Sequence, residues 1–124
     1  MKLVEAIERV KREKPNGYGD EILTSWISQI ENLAQVEIMG VDSEEIEDYS
    51  WKEDGDAELK VPDPYSDIYI YYLKAMVDYN NREYNSYNYN TQLFNSTYMA
   101  FAAWYKRNKG TAQPRKAVKI NNFW

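Results

Sequence analysis

The chain has 124 residues, with 15 Lys and Arg against 20 Asp and Glu, which gives a net charge of -5 at pH 7. It contains no cysteine and no histidine, which excludes disulfide bonds, thiolate metal sites and histidine-based acid–base chemistry. The overall acidity argues against sequence-specific nucleic-acid binding, which needs a dominant basic face. We expect a cytoplasmic protein, because we find neither a signal peptide nor the roughly 20 apolar residues of a membrane span.

Two helices are predicted in the first third of the chain. Apolar residues at helical spacing predict a helix over about residues 2–13, and the turn Pro15-Asn16-Gly17 ends it. Asp20 is expected to cap a second helix and Gly40 to end it. Eight residues form the apolar face predicted for this second helix: Ile22, Leu23, Trp26, Ile27, Ile30, Leu33, Ala34 and Ile38.

Residues 41–58, which we call the acidic segment, hold nine carboxylates and one lysine. We predict a loop over residues 41–57, with a short helical turn near residues 43–48 that Ser43 caps. Leu59 and Val61 alternate with charged residues, which predicts a short strand.

Carboxylates such as those of the acidic segment occur both in calcium sites and in acid–base catalytic sites. Neither Asp42 nor Asp48 begins the spacing of a calcium-binding loop. Glu53, Asp54 and Asp56 lie close together, but no apolar residues surround them to shift a pKa. Motifs of nucleophilic, phosphate-binding and zinc enzymes are missing from the sequence. We therefore expect no enzyme activity, no metal and no other cofactor.

The segment from residue 61 to residue 107 holds ten of the twelve tyrosines and six asparagines. Tyrosine combines a large apolar face with a polar tip, which suits helix surfaces that become buried on assembly. We predict two antiparallel helices, over about residues 66–86 and 90–108. Ser66 is expected to cap the first, Asn88 or Asn90 the second, and Gly110 to end the second. Five aromatic residues form one face of the second helix: Phe94, Tyr98, Phe101, Trp104 and Tyr105.

Residues 111–124 form a basic tail with no helical periodicity, and the tail ends in Phe123 and Trp124. The predicted fold is therefore mainly α. It is a bundle of about four helices over residues 1–110, with an acidic loop, a minor strand element and an extended C-terminal tail. Charge and exposed aromatic residues give nine candidate interface residues: Trp51, Glu53, Asp54, Asp56, Arg115, Lys116, Lys119, Phe123 and Trp124. Trp51 is expected to be exposed, because its neighbours are charged.

Several short motifs between about residues 3 and 108 carry a family resemblance. They are Lys14-Pro15-Asn16-Gly17-Tyr18, Trp26 with Ile30-Glu31, Val61-Pro62-Asp63-Pro64-Tyr65, Tyr69, Tyr72-Leu73, Phe94-Asn95 and Trp104-Tyr105-Lys106-Arg107. In these the chain resembles head–tail connector (neck or adaptor) proteins of tailed phages and prophages of Gram-positive bacteria. Residues 41–57 and 111–124 fall outside the shared pattern.

The resemblance implies a helical, non-catalytic protein that forms a ring matching the symmetry of the portal. Its partners would be further copies of itself, the portal and tail-completion proteins. It would lie in the host cytoplasm during assembly and then in the virion neck. The alternative is a small acidic regulatory or inhibitor protein, monomeric or dimeric, that binds a basic partner. A metal-dependent enzyme is a third possibility and would need three or more converging carboxylates.

Overall fold

A computed structural model describes residues 1–109, which fold into a small helical bundle. The helices are α1 (Leu3–Glu13), α2 (Asp20–Glu37), the short α3 (Trp51–Asp54), α4 (Asp67–Asn80) and α5 (Tyr84–Asn108). A single 3-10 turn, Ser43–Glu45, lies in the acidic segment close to the predicted helical turn. The mainly helical fold is confirmed, whereas Gly110 and the tail of residues 111–124 lie outside the described residues.

Helix α4 runs antiparallel to both α2 and α5. Along α4 and α5, the rings of Tyr79 and Tyr87 are 5.6 Å apart and those of Tyr72 and Phe94 are 5.7 Å apart. Between α4 and α2, Tyr69 contacts Glu31 whereas the later Tyr72 contacts the earlier Gln29. The segment between α2 and α4, which includes the acidic segment, therefore joins two helix ends that lie at the same end of the bundle.

Helix α1 forms where the sequence predicts it. Leu3, Ala6, Ile7 and Val10 all lie in the core, and this spacing places them on one face of the helix. The backbone amides of Leu3 and Val4 donate hydrogen bonds of 2.9 Å to the carbonyl oxygens of Ala57 and Gly55. The backbone of the acidic segment thereby satisfies two of the four amides that a helix N-terminus leaves unpaired.

Helix α2 differs from its prediction at both ends. Gly19 occupies the capping position, and Asp20 is instead the first helical residue, where its carboxylate pairs with Lys11. Ile22 was expected on the buried face but is 45% exposed. The helix ends at Glu37, and Gly40 follows with a φ of 74°, a conformation in which glycine has no steric penalty.

The predicted pair of long helices is present, but the break between them was placed too late. Helix α4 ends at Asn80, and α5 already begins at Tyr84. The turn holds Arg82 at a φ of 60°, and the amide of Glu83 donates to the carbonyl oxygen of Asp78 at 2.8 Å. The expected caps Asn88 and Asn90 consequently lie inside α5.

The predicted strand at Leu59 and Val61 is reduced, within residues 1–109, to one isolated bridge between Lys2 and Glu58. The side chains of Leu59 and Val61 are nevertheless buried. They belong to the core although they lie in the non-helical segment that joins α3 to α4. The largest fully buried side chains come from α4 and α5: Tyr69, Tyr98 and Phe101. Ser66 occupies the N-cap position of α4 as predicted, although its side chain makes no capping hydrogen bond there.

Candidate functional site: an anchored acidic segment and an apolar groove

Glu31 of α2 anchors the acidic segment to the bundle. Its carboxylate is only 2% exposed and accepts hydrogen bonds from the Tyr69 hydroxyl at 2.8 Å and from the Lys60 amide at 2.7 Å. The Tyr49 hydroxyl donates a third hydrogen bond. A buried carboxylate needs such donors to replace water, and here they come from α4 and from the chain on both sides of α3.

The two tyrosines remain donors because their hydroxyls stay protonated. Burial is the main cause that raises the pKa of both Tyr49 and Tyr69 far above the ordinary tyrosine value, and the neighbouring Glu31 carboxylate raises it further. Two more contacts hold the segment against α2. The Tyr49 amide donates to the Ser28 hydroxyl at 2.9 Å, and the Asn32 amide donates to Asp48 at 2.7 Å. The acidic segment is therefore fixed on the bundle by direct contacts.

A polar pocket of about 260 Å³ opens beside this anchor. Eight residues line it: Glu31, Gln35, Glu45, Glu47, Asp48, Tyr49, Asp54 and Lys60. Within residues 1–109, no group of three or more acidic side chains is arranged to hold a metal ion. The pocket and the surrounding carboxylates instead give this end of the bundle a dense negative surface.

The structure separates the candidate residues of the acidic segment into two kinds. Glu53 and Asp56 are exposed. Asp54 is partly buried, and its carboxylate accepts a 2.7 Å hydrogen bond from the Ser50 amide at the start of α3. Trp51 was expected to be exposed, and this was wrong: its side chain is partly buried against the core. The candidates Arg115, Lys116, Lys119, Phe123 and Trp124 lie outside the described residues.

Sequence reasoning missed Glu31 and α3, although each left a signal. Glu31 lies four residues after Ile27 and three before Ala34, so helical spacing already places it on the buried face of α2. Residues 50–53 read Ser-Trp-Lys-Glu, the spacing of a capping box at a helix start. The sequence pattern therefore coincides with the start of α3, but the Ser50 side chain does not make the capping hydrogen bond that the pattern predicts.

A second polar cluster closes the opposite end of the bundle around Asp78, which is fully buried. Its carboxylate lies 2.5 Å from the Lys14 ammonium group and accepts a 2.9 Å hydrogen bond from the Asn90 amide. Burial alone would raise the pKa of Asp78, but hydrogen bonds from Lys14, Ser86 and Asn90 outweigh it and lower the pKa. The cluster ties the end of α1 to α4 and α5.

Tyrosines line the surface near this second end. Tyr79, Tyr84 and Tyr89 are each more than half exposed. Beside them lies an apolar groove of about 190 Å³ between α4 and α5, which we call the α4–α5 groove. Its lining residues are Tyr72, Ala75, Met76, Tyr87, Thr91, Phe94 and Asn95. The predicted tyrosine-rich helix surface therefore contains a concave apolar site.

Comparisons with known proteins assign no family to this chain. No protein family model, no curated protein and no solved structure matches it. None of the helices in residues 1–109 is long and apolar enough to cross a lipid bilayer. The described surfaces offer two modes of contact: charge attraction at the acidic segment and apolar packing at the α4–α5 groove.

Proposed function

We propose that the protein is a non-catalytic head–tail connector of a tailed phage or prophage, which forms a ring between the portal and the tail. It would assemble in the host cytoplasm and then lie in the virion neck. The observation that carries the proposal is the negative surface of the acidic segment, which the Glu31 anchor holds in place. A ring subunit needs a fixed surface on which the next subunit docks.

The acidic segment begins close to the end of α5, where a basic stretch of the chain starts. The Tyr105 hydroxyl of α5 lies 3.5 Å from the carbonyl oxygen of Met39, two residues before the segment begins. The negative segment and the start of the positive stretch 106–124, which has six basic residues and no acid, thus lie at the same end of the bundle. A head-to-tail ring needs two different, complementary surfaces on each subunit, and this opposition of charge is one way to provide them.

An acidic inhibitor that binds a basic partner is the second candidate. The exposed carboxylates of Glu53 and Asp56 favour it as much as they favour the connector. The two functions differ in assembly state, because the inhibitor would act as a monomer or dimer and would have no affinity for a portal.

Light scattering and negative-stain microscopy of the full chain, with and without portal protein, test the proposal. We expect rings that dissociate as salt rises, because screening weakens contacts between exposed charges. Glu53→Lys with Asp56→Lys should reduce ring formation. Glu8→Lys with Glu21→Lys changes the net charge equally at exposed positions on α1 and α2, and should not reduce it. A chain that stays monomeric with portal protein, or a ring insensitive to both double variants, contradicts the proposal.

A further inference from the structure

The α4–α5 groove has the size and chemistry of a site for one aromatic side chain. Its volume of about 190 Å³ compares with the roughly 150 Å³ of an apolar cavity that binds benzene. The rings of Tyr72 and Phe94 and the side chain of Met76 provide the apolar walls. The lining residues carry no charge, so the groove favours an apolar or aromatic occupant over a basic one.

The chain itself supplies such an occupant beyond the described residues. Fifteen residues follow Lys109, and the last two are Phe123 and Trp124. The groove lies beside Thr91 and Asn95 of α5, about 15 residues before the end of that helix, which is about 23 Å at 1.5 Å per residue. Fourteen residues of extended chain reach about 46 Å. The chain between Lys109 and Trp124 is therefore long enough for Trp124 to reach the groove of its own molecule.

We propose that the α4–α5 groove is the intramolecular docking site of the Trp124 side chain. Tethering favours this occupant, because a covalent link of this length gives a side chain on the same molecule an effective concentration in the millimolar range. Arg115, Lys116 and Lys119 precede the aromatic pair in the sequence, and the groove has no acidic lining residue that would favour them. The proposal does not depend on the connector function, since a docked tail is equally compatible with an inhibitor.

Nuclear magnetic resonance of the full chain, with labelled methyl groups, tests this assignment. We expect nuclear Overhauser effects from the Trp124 indole to the methyl groups of Met76, Ala75 and Thr91. Trp124→Ala should abolish all three and shift the Met76 methyl resonance. Lys119→Ala is the matched control in the same tail and should leave all three in place.

A second variant changes the groove instead of the tail. Thr91→Lys places a charged chain in the groove and should release Trp124 while the core resonances persist. A mixture of labelled and unlabelled protein separates contacts within one molecule from contacts between molecules. The proposal is overturned if the three effects are absent in the unmodified chain, or if they arise only between molecules. An unchanged Met76 resonance in the Trp124→Ala variant would also overturn it.

Discussion

Replacing Tyr69 by phenylalanine removes the hydroxyl that links α4 to Glu31 of α2 and to Val61, in the chain that follows the acidic segment. That hydroxyl donates to Glu31 at 2.8 Å and accepts from the Val61 amide at 2.9 Å, and all three residues are buried. A hydrogen bond to a charged group contributes about 1.5–3 kcal/mol, and a buried group left without a partner costs about 1–3 kcal/mol. Partial relaxation reduces the total, and we expect Tyr69→Phe to lower the free energy of unfolding by about 3 kcal/mol.

The measurement is urea unfolding followed by circular dichroism, with Tyr72→Phe as the matched control. The Tyr72 hydroxyl donates to Gln29 at 3.0 Å at an exposed position, so its loss should cost no more than about 0.5 kcal/mol, as for most surface changes. Tyr69→Phe should also lower the melting temperature by about 12 °C, at ~4 °C per kcal/mol for a domain of this size. If the two variants were equally stable, the anchoring role of Glu31 would be refuted.

Three further predictions concern the other end of the bundle, its surface and the tail. Asn90→Ala should destabilise the fold by about 1–2 kcal/mol in urea unfolding, because it removes a donor to buried Asp78; exposed Asn88→Ala should not. Hydrogen bonds from Lys74 and Arg9 lower the pKa of Glu13 from 4.5 to about 2. The lowered pKa of Glu13 stabilises the folded state above pH 4.5, and this stabilisation is lost as the pH falls toward 2. Lys74→Met should reduce the change in the free energy of unfolding between these two pH values by less than ~1 kcal/mol. Deleting residues 111–124 should preserve the helical circular dichroism spectrum while reducing ring assembly, and an unfolded product would place the tail in the core.

The spacing of apolar residues was sufficient to predict a helix where one short stretch of sequence contains the whole buried face. Helix α1 follows its apolar spacing closely, because the buried face and the helix are set by the same short stretch. The boundary between α4 and α5 was misplaced, because Asn90 is held in the helix by Asp78, twelve residues away. A tertiary hydrogen bond of this kind overrides the weak helix propensity of asparagine.

The candidate site was only partly predictable for a related reason. The negative charge of the acidic segment is a property of composition, so the sequence shows it directly. The burial of Trp51 depends on how the segment crosses the end of α1, and no local pattern of charge reports that path. The α4–α5 groove likewise arises from the spacing of two helices, and the tyrosine content predicts a contact surface without its shape.

The attachment of the acidic segment to α1 runs through main-chain atoms. The carbonyl oxygens of Gly55 and Ala57 accept the hydrogen bonds, while the side chains of the neighbouring Glu53 and Asp56 are exposed to solvent. Carbonyl groups are present whatever the side chain, so selection can change the charge pattern of this surface without loosening α1. The charge that a partner would meet on this surface can therefore change while the main-chain contact with α1 is kept.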